Sequence, residues 1–161
     1  MFVGISTRRK TVLRWATPLL FVALWLAYVL GALLHRAELD WGVLSGGLDS
    51  LAAWRRAFVD GSVLRLFSAL FLHADWIHLL GNLVFLLIFG LPAERVMGGW
   101  RFLTLFLLGG AVSNFAAVLA IDAPDRVIIG ASGAVSAVIG AYLALFPGAR
   151  LGVVLPLGIF L

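Results

Sequence analysis

Asp75-Trp-Ile-His78-Leu-Leu-Gly-Asn82-Leu-Val-Phe-Leu-Leu-Ile-Phe-Gly-Leu-Pro-Ala-Glu94 is the stretch that decides the fold. Eighteen uncharged residues lie between its two carboxylates. As a helix they cover about 27 Å, close to the ~30 Å hydrocarbon core of a bilayer. The pattern recurs along the chain. Twenty residues separate Arg14 from His35, 20 separate Arg101 from Asp122, and 23 separate Arg126 from Arg150. Each run is long enough to span. Composition agrees: 63% of the 161 residues are hydrophobic and 12% charged, with mean hydropathy +1.09. Soluble domains average about 45–50% apolar and about 25% charged. Backbone groups in lipid must be satisfied internally, so the spans are expected to be helices. The predicted fold class is all-α: one polytopic bundle of four complete spans plus part of a fifth, over residues 1–161.

The first run follows Arg8, Arg9, Lys10 and Arg14. It is long for a signal-peptide core of about 7–15 residues, so it reads as an uncleaved anchor. The same basic residues place the N-terminus, 1–14, in the cytoplasm. Alternation then puts the 94–101 loop inside and leaves Glu94 as the one cytoplasmic acid of eight. The 35–75 loop falls outside despite Arg36, Arg55, Arg56 and Arg65, and it also holds Trp41, Trp54, Phe58 and Phe67. Such a mixture suits a structured outer loop folded against lipid headgroups, with a short amphipathic helix at Leu51–Val59. The net charge of +4 is read as membrane orientation, and no nucleic-acid partner is expected. There is no cysteine, which removes disulfides, thiolate metal sites and a thiol nucleophile from this stretch. Thr17-Pro18 reads as N-cap and first helical residue of span one, and Asp75 as N-cap of span two.

Polar residues inside spans are costly and are functional hypotheses by default. His78 and Asn82 lie four apart, on one helical face, roughly 5 and 10 Å below the outer boundary. The bland reading is interhelical hydrogen bonding. Gly130-Ala131-Ser132-Gly133 begins the fourth span. Ser132 lies about 9 Å deep if the chain enters as helix and up to about 20 Å if it enters extended. Its bland reading is packing, because Gly133, Ala137 and Ala141 form a small-residue stripe that lets backbones approach. Together the two sites match in depth and face, and the stripe is expected to bring span four against span two. The set suits acyl transfer: a serine hydroxyl attacks a carbonyl when a base takes its proton, and pre-placed N–H donors hold the oxyanion. Ser132 is the candidate nucleophile. His78, Asn82 and the Ser132 backbone N–H are the candidate donors. A metal site is disfavoured, since His73 and His78 stand about 140° apart if both lie on one helix. No cofactor is expected.

These residues resemble the rhomboid family of intramembrane serine proteases, in its bacterial form. His73 with His78-x-x-x-Asn82 resembles the family's second-helix region. Gly130-Ala131-Ser132-Gly133 resembles its G-x-S-G motif, while Arg65 and Glu94 fit the first loop and the end of helix two. The resemblance covers roughly residues 17–161. It implies a bundle with a water-accessible cavity open to the outer face of the bacterial cytoplasmic membrane. It further implies transmembrane proteins as substrates, Ser132 as nucleophile, His78 and Asn82 as oxyanion donors, and a structural His73. Two departures are local: Leu64 stands where many members have tryptophan, and Ser136 where a subset has tyrosine. A third bears on activity. The family's base is a histidine on helix six, whereas His35, His73 and His78 all precede Ser132. The apolar run from Leu151 ends at Leu161 after 11 residues, too short to span, so a chain continuing past Leu161 with the base histidine is expected. Alone, 1–161 is expected to be inactive, because losing a member of such a set costs on the order of 10⁴–10⁶ in rate. The alternative is a non-catalytic rhomboid-like scaffold that binds membrane clients. A transporter would want polar residues through the full depth of several spans; Asn114 is the exception that would serve it.

Overall fold

A computed structural model describes residues 14–34, 41–44, 50–121 and 126–149. The Arg8–Lys10 cluster, His35 and Arg36, Asp122 and Asp125, and the run from Arg150 to Leu161 lie outside the described residues, so the expectations that rest on them are carried by sequence alone.

Among the described residues the elements are helical apart from one short strand pair. Helix α1 is Ala16–Leu34, β1 is Val43–Leu44 and α2 is Leu51–Val59. Tight 3-10 turns at Ser62–Leu64 and Ala69–Phe71 flank α3, Arg65–Ser68. Helix α4, Trp76–Phe85, runs through a π-helical turn, Leu86–Gly90, into α5, Leu91–Met97. Helix α6 is Gly99–Ala120, β2 is Val127–Ile128 and α7 is Ser132–Leu145. Among the described residues three helical segments, Ala16–Leu33, Trp76–Met97 and Gly99–Ala120, are long and apolar enough to cross a membrane. The chain is thus a helical membrane bundle, as its charge spacing implied.

Local chemistry sets the helix ends. The Asp75 carboxylate accepts the His78 backbone N–H at 2.8 Å and caps α4 as expected. Ser50 caps α2 in the same way, through the Ala53 N–H. Helix α1 departs from expectation. Thr17 is its second residue, not its cap, because an acceptor from another helix takes that role. Glu94 accepts the backbone N–H groups of Trp15 and Ala16 on Oε1, at 2.8 and 2.7 Å, and that of Thr17 on Oε2, at 2.9 Å. A buried carboxylate thus stands at the positive end of α1, where helix donors lack intrahelical partners. Pro18 follows within the first turn, where its missing N–H costs little. The π-helical turn has a similar local cause: Pro92 cannot donate to the carbonyl of Ile88 and its ring crowds it, which a widened turn relieves.

The core lies along facing stripes. Helix α1 contributes Ala16, Leu20 and Leu24, one residue per turn. Span two contributes Leu79, Leu83, Leu86 and Phe89, and they meet Phe102, Phe106, Ala134 and Val138. The outer sides of the helices expose large aliphatics such as Leu26, Leu30, Leu33 and Ile88, the pattern expected where lipid replaces water.

Helix α7 decides one open reading and corrects one expectation. Its 14 residues rise only about 21 Å, and the chain reaches it as strand, so the extended entry applies and the helical one does not. Its small-residue stripe also meets α6 rather than span two. A methyl built on Gly133 would collide with Ser113, and one built on Gly109 would lie 2.5 Å from Ala137 Cβ. Gly109 and Ser113 are four apart, as are Gly133 and Ala137, so two small stripes interlock. Span two meets α7 elsewhere, through Gly130 against His78 and Phe89 against Tyr142.

A second core cluster sits beneath residues 41–44 and 50–75. It joins Val43, Ala57, Leu66 and Ala69 to Ala111 and Val118 of α6, with Trp54 packed edge-on against Phe115 at 5.1 Å. Asn114 donates from Nδ2 to the Leu66 carbonyl at 2.9 Å. That contact gives the polar residue of span three a structural task, fastening the loop. The strands pair antiparallel, Val43 opposite Ile128 and Leu44 opposite Val127, which ties the loop to the chain entering α7.

Candidate active site

Three pieces of chain meet at the site: the Leu72–Asp75 turn, the first two turns of α4, and the Ile129–Ser132 entry to α7. Leu72 is extended (φ −92°, ψ 144°), so His73 lies before α4 rather than on it. The 140° helical separation expected for His73 and His78 therefore does not apply. The two rings meet edge to face, with centroids 5.2 Å apart. Among the described residues no group of three His, Cys, Asp or Glu converges at metal-binding distance.

His78 packs on the backbone that leads to Ser132. A methyl built on Gly130 would lie 2.7 Å from His78 Cε1 and 3.1 Å from Nε2, and Gly130 has φ +117°. Both conditions require glycine. The Gly130 N–H is held by the Ala69 carbonyl at 2.8 Å, so the loop helps aim this segment.

Asn82 lies in the buried stripe of α4, 6% exposed. Its Nδ2 sits 3.0 Å from His73 Nε2. The backbone N–H of Ala131 points to the same nitrogen at 3.5 Å. His73, itself buried, thus links Asn82 to the residue immediately before Ser132. Sequence reasoning did not find this contact. The partners are nine residues apart across a turn and a helix start, and no periodicity relates them.

Ser132 is the first residue of α7 and is exposed. Its N–H belongs to the first turn of a 14-residue helix, where backbone donors have no intrahelical acceptor. Its carbonyl accepts the Ser136 hydroxyl at 2.8 Å, so Ser136 closes the first turn and points along the helix. Gly130 and Ala131, the two residues before Ser132, thus meet His78 and His73, and His73 in turn holds Asn82. A cavity of about 440 Å³ opens elsewhere, against the loop beside Trp41, Asp60 and Arg65, and none of His78, Asn82 and Ser132 lines it.

Burial holds the His73 ring well below the ordinary histidine range, at about 4, with His78 adding to the effect. The Phe71 carbonyl and Asp75 oppose it without prevailing. His73 is neutral at physiological pH.

Comparison with known proteins agrees with this architecture. The sequence profile of the rhomboid domain matches residues 60–160. RHOMBOID-like protein 5 of Arabidopsis thaliana is 32% identical over 90 residues, 56% of this chain and 29% of that protein. The putative rhomboid protease YdcA of Bacillus subtilis (strain 168) is 32% identical over 95 residues, 59% of this chain and 47% of that protein. Rhomboid-like protease 3 of Toxoplasma gondii is 37% identical over 93 residues, 58% of this chain and 35% of that protein. The matches span less than half the length of each of these relatives. No solved structure gives a significant match. The profile match covers well over half of the chain and includes every residue of the polar cluster, and the chain belongs to the rhomboid family.

Proposed function

We propose that this chain forms part of an intramembrane serine endopeptidase acting on transmembrane segments of other membrane proteins. The observation that carries the reading is the contact of His78 with Gly130, and of Asn82 through His73 with Ala131, on the two residues that lead into Ser132 at a helix start. In this reading Ser132 Oγ attacks the scissile carbonyl carbon. Its proton passes to a histidine supplied by chain beyond Leu161, as the family resemblance implies. Negative charge then develops on the carbonyl oxygen. The Ser132 N–H, the His78 ring and the free N–H of Asn82 are the donors that receive it, each worth about 2.7–4 kcal/mol by analogy with such donors elsewhere. The histidine returns the proton to the leaving amine, and water completes the cycle by attacking the acyl-enzyme.

Relatives named as proteases support the reading, as does the exposure of Ser132. The setting proposed is a bacterial cytoplasmic membrane, with residues 1–14 in the cytoplasm and the site open to the outer face. The test uses the full-length protein in detergent micelles. A fluorophosphonate probe should label it, and Ser132→Ala should abolish labelling and cleavage of a model transmembrane substrate. Well-folded protein that neither labels nor cleaves would favour the client-binding scaffold instead.

A further inference from the structure

His73 is a buried titratable group that the proposed chemistry does not use. Its surroundings nevertheless determine its state. Two groups address Nε2: the Asn82 amide at 3.0 Å and the Ala131 peptide N–H at 3.5 Å. A peptide N–H can only donate. A lone pair on Nε2 would serve both, and in a neutral ring the proton then sits on Nδ1. With that assignment the amide of Asn82 meets the lone pair with Nδ2 and not with Oδ1. One Nδ2 hydrogen is then committed to His73. The second is fixed in the plane of the amide, on the opposite side of Nδ2. Among the described residues Nδ1 has no well-formed hydrogen-bond partner, and the Phe71 carbonyl favours the protonated ring only weakly.

We propose that His73 is a positioning residue. As the Nδ1–H tautomer it gathers the Asn82 amide and the Ala131 N–H around one acceptor. It thereby sets where Asn82's remaining N–H points and where the peptide entering Ser132 lies. This rests on the reading of Asn82 as an oxyanion donor. The role is tautomer-specific. A ring protonated at Nε2 would face two donors with a third, and the amide would have to turn over, presenting an oxygen lone pair where the developing oxyanion needs a proton.

Two measurements on the full-length protein test it. The first is the ¹⁵N resonance pair of His73 at neutral pH. Nε2 should show the shift of an unprotonated, hydrogen-bonded nitrogen, and it should move towards that of a free acceptor in Asn82→Leu. A protonated Nε2 overturns the proposal, whatever the enzyme does. The second is kinetic. His73→Phe keeps bulk but has no acceptor, and kcat should fall on the order of tenfold to a hundredfold while KM stays within about twofold. His73→Gln restores an acceptor near the Nε2 position and should recover part of that loss. Equal kcat in His73→Phe and wild type overturns the proposal, as does a His73→Gln no better than a folded His73→Phe. If His73→Phe does not fold, the ¹⁵N measurement decides alone. Failure of the broader reading looks different: Ser132→Ala would leave probe labelling intact.

Discussion

Gly130 shows how narrowly single residues constrain this site. Its φ of +117° disfavours any side chain, and a methyl there would lie 2.7 Å from the His78 ring. Gly130→Ala is expected to cut cleavage by about a hundredfold, the scale of an ångström-sized misplacement. Its melting transition should remain cooperative, as thermal denaturation in detergent would show. Asn82→Ala should lower kcat by about 10²–10³ with substrate binding little changed, measured by steady-state kinetics. His73 gives stability a pH dependence. Its folded pKa, about 4, lies below the ordinary value of 6.5. Below 6.5 the unfolded chain takes up a proton that the folded chain refuses, so stability should fall as pH drops from 6.5 through 4. His78 and Asp75, the titratable neighbours, act on the same ring in opposite directions. The melting temperature of His73→Gln should therefore decline less over this window than that of wild type. Much of this residue-level picture was legible: helical spacing put His78 and Asn82 on one face, and depth matching brought in Ser132. The His73–Asn82 contact was not, because His73 follows the extended Leu72, whose direction no sequence period sets.

At the scale of elements, the bundle is fastened by contacts that cross long stretches of chain. Glu94 receives three backbone donors from the start of α1, 77 to 79 residues away. Glu94→Gln retains size but removes the charge and half of the acceptor capacity. It should cost about 1–3 kcal/mol, read as a lower denaturation midpoint. The first turn of α1 should also gain amide exchange. Thr17-Pro18 carried a valid local signal for a helix start, but the cap came from a distant carboxylate that local rules cannot see. The small-residue stripe followed the same logic. Its spacing at 133 and 137 correctly implied close helix approach, while its partner was set by a matching stripe at 109 and 113 on the next helix in sequence. Ala137→Leu should overpack that contact with Gly109 and destabilise by about 1–3 kcal/mol. The same change at the exposed Gly140, one turn short of Leu143 and with open space about it, should have little effect.

The whole molecule follows from how charge punctuates the chain. Runs between charged residues marked the spans, and the structure folds them into a bundle with consistent ends. Glu94 caps the start of α1, so the first helix begins at the end of the bundle that holds the 94–99 turn. The β1–β2 pair and the Asn114–Leu66 bond gather residues 41–44 and 50–75 at the other end. The strand pair was not legible, since two-residue strands leave no alternating pattern to detect. These relations fix which segments share a face of the membrane. Basic residues at 8–14, 95 and 101 then argue for which face is cytoplasmic. Residues 1–161 contain no cysteine, so introduced thiols report cleanly on that assignment. Ala52→Cys places one on the exposed side of α2, and Val96→Cys places one at a site 55% exposed near the end of α5. With native cysteines elsewhere in the protein replaced, a membrane-impermeant maleimide applied to spheroplasts should label Ala52→Cys at once. It should label Val96→Cys only after permeabilisation. The reverse pattern would invert the topology and put the Ser132 site on the cytoplasmic side. Equal labelling of both in sealed membranes would remove the transbilayer arrangement on which the separation of substrate and solvent faces depends.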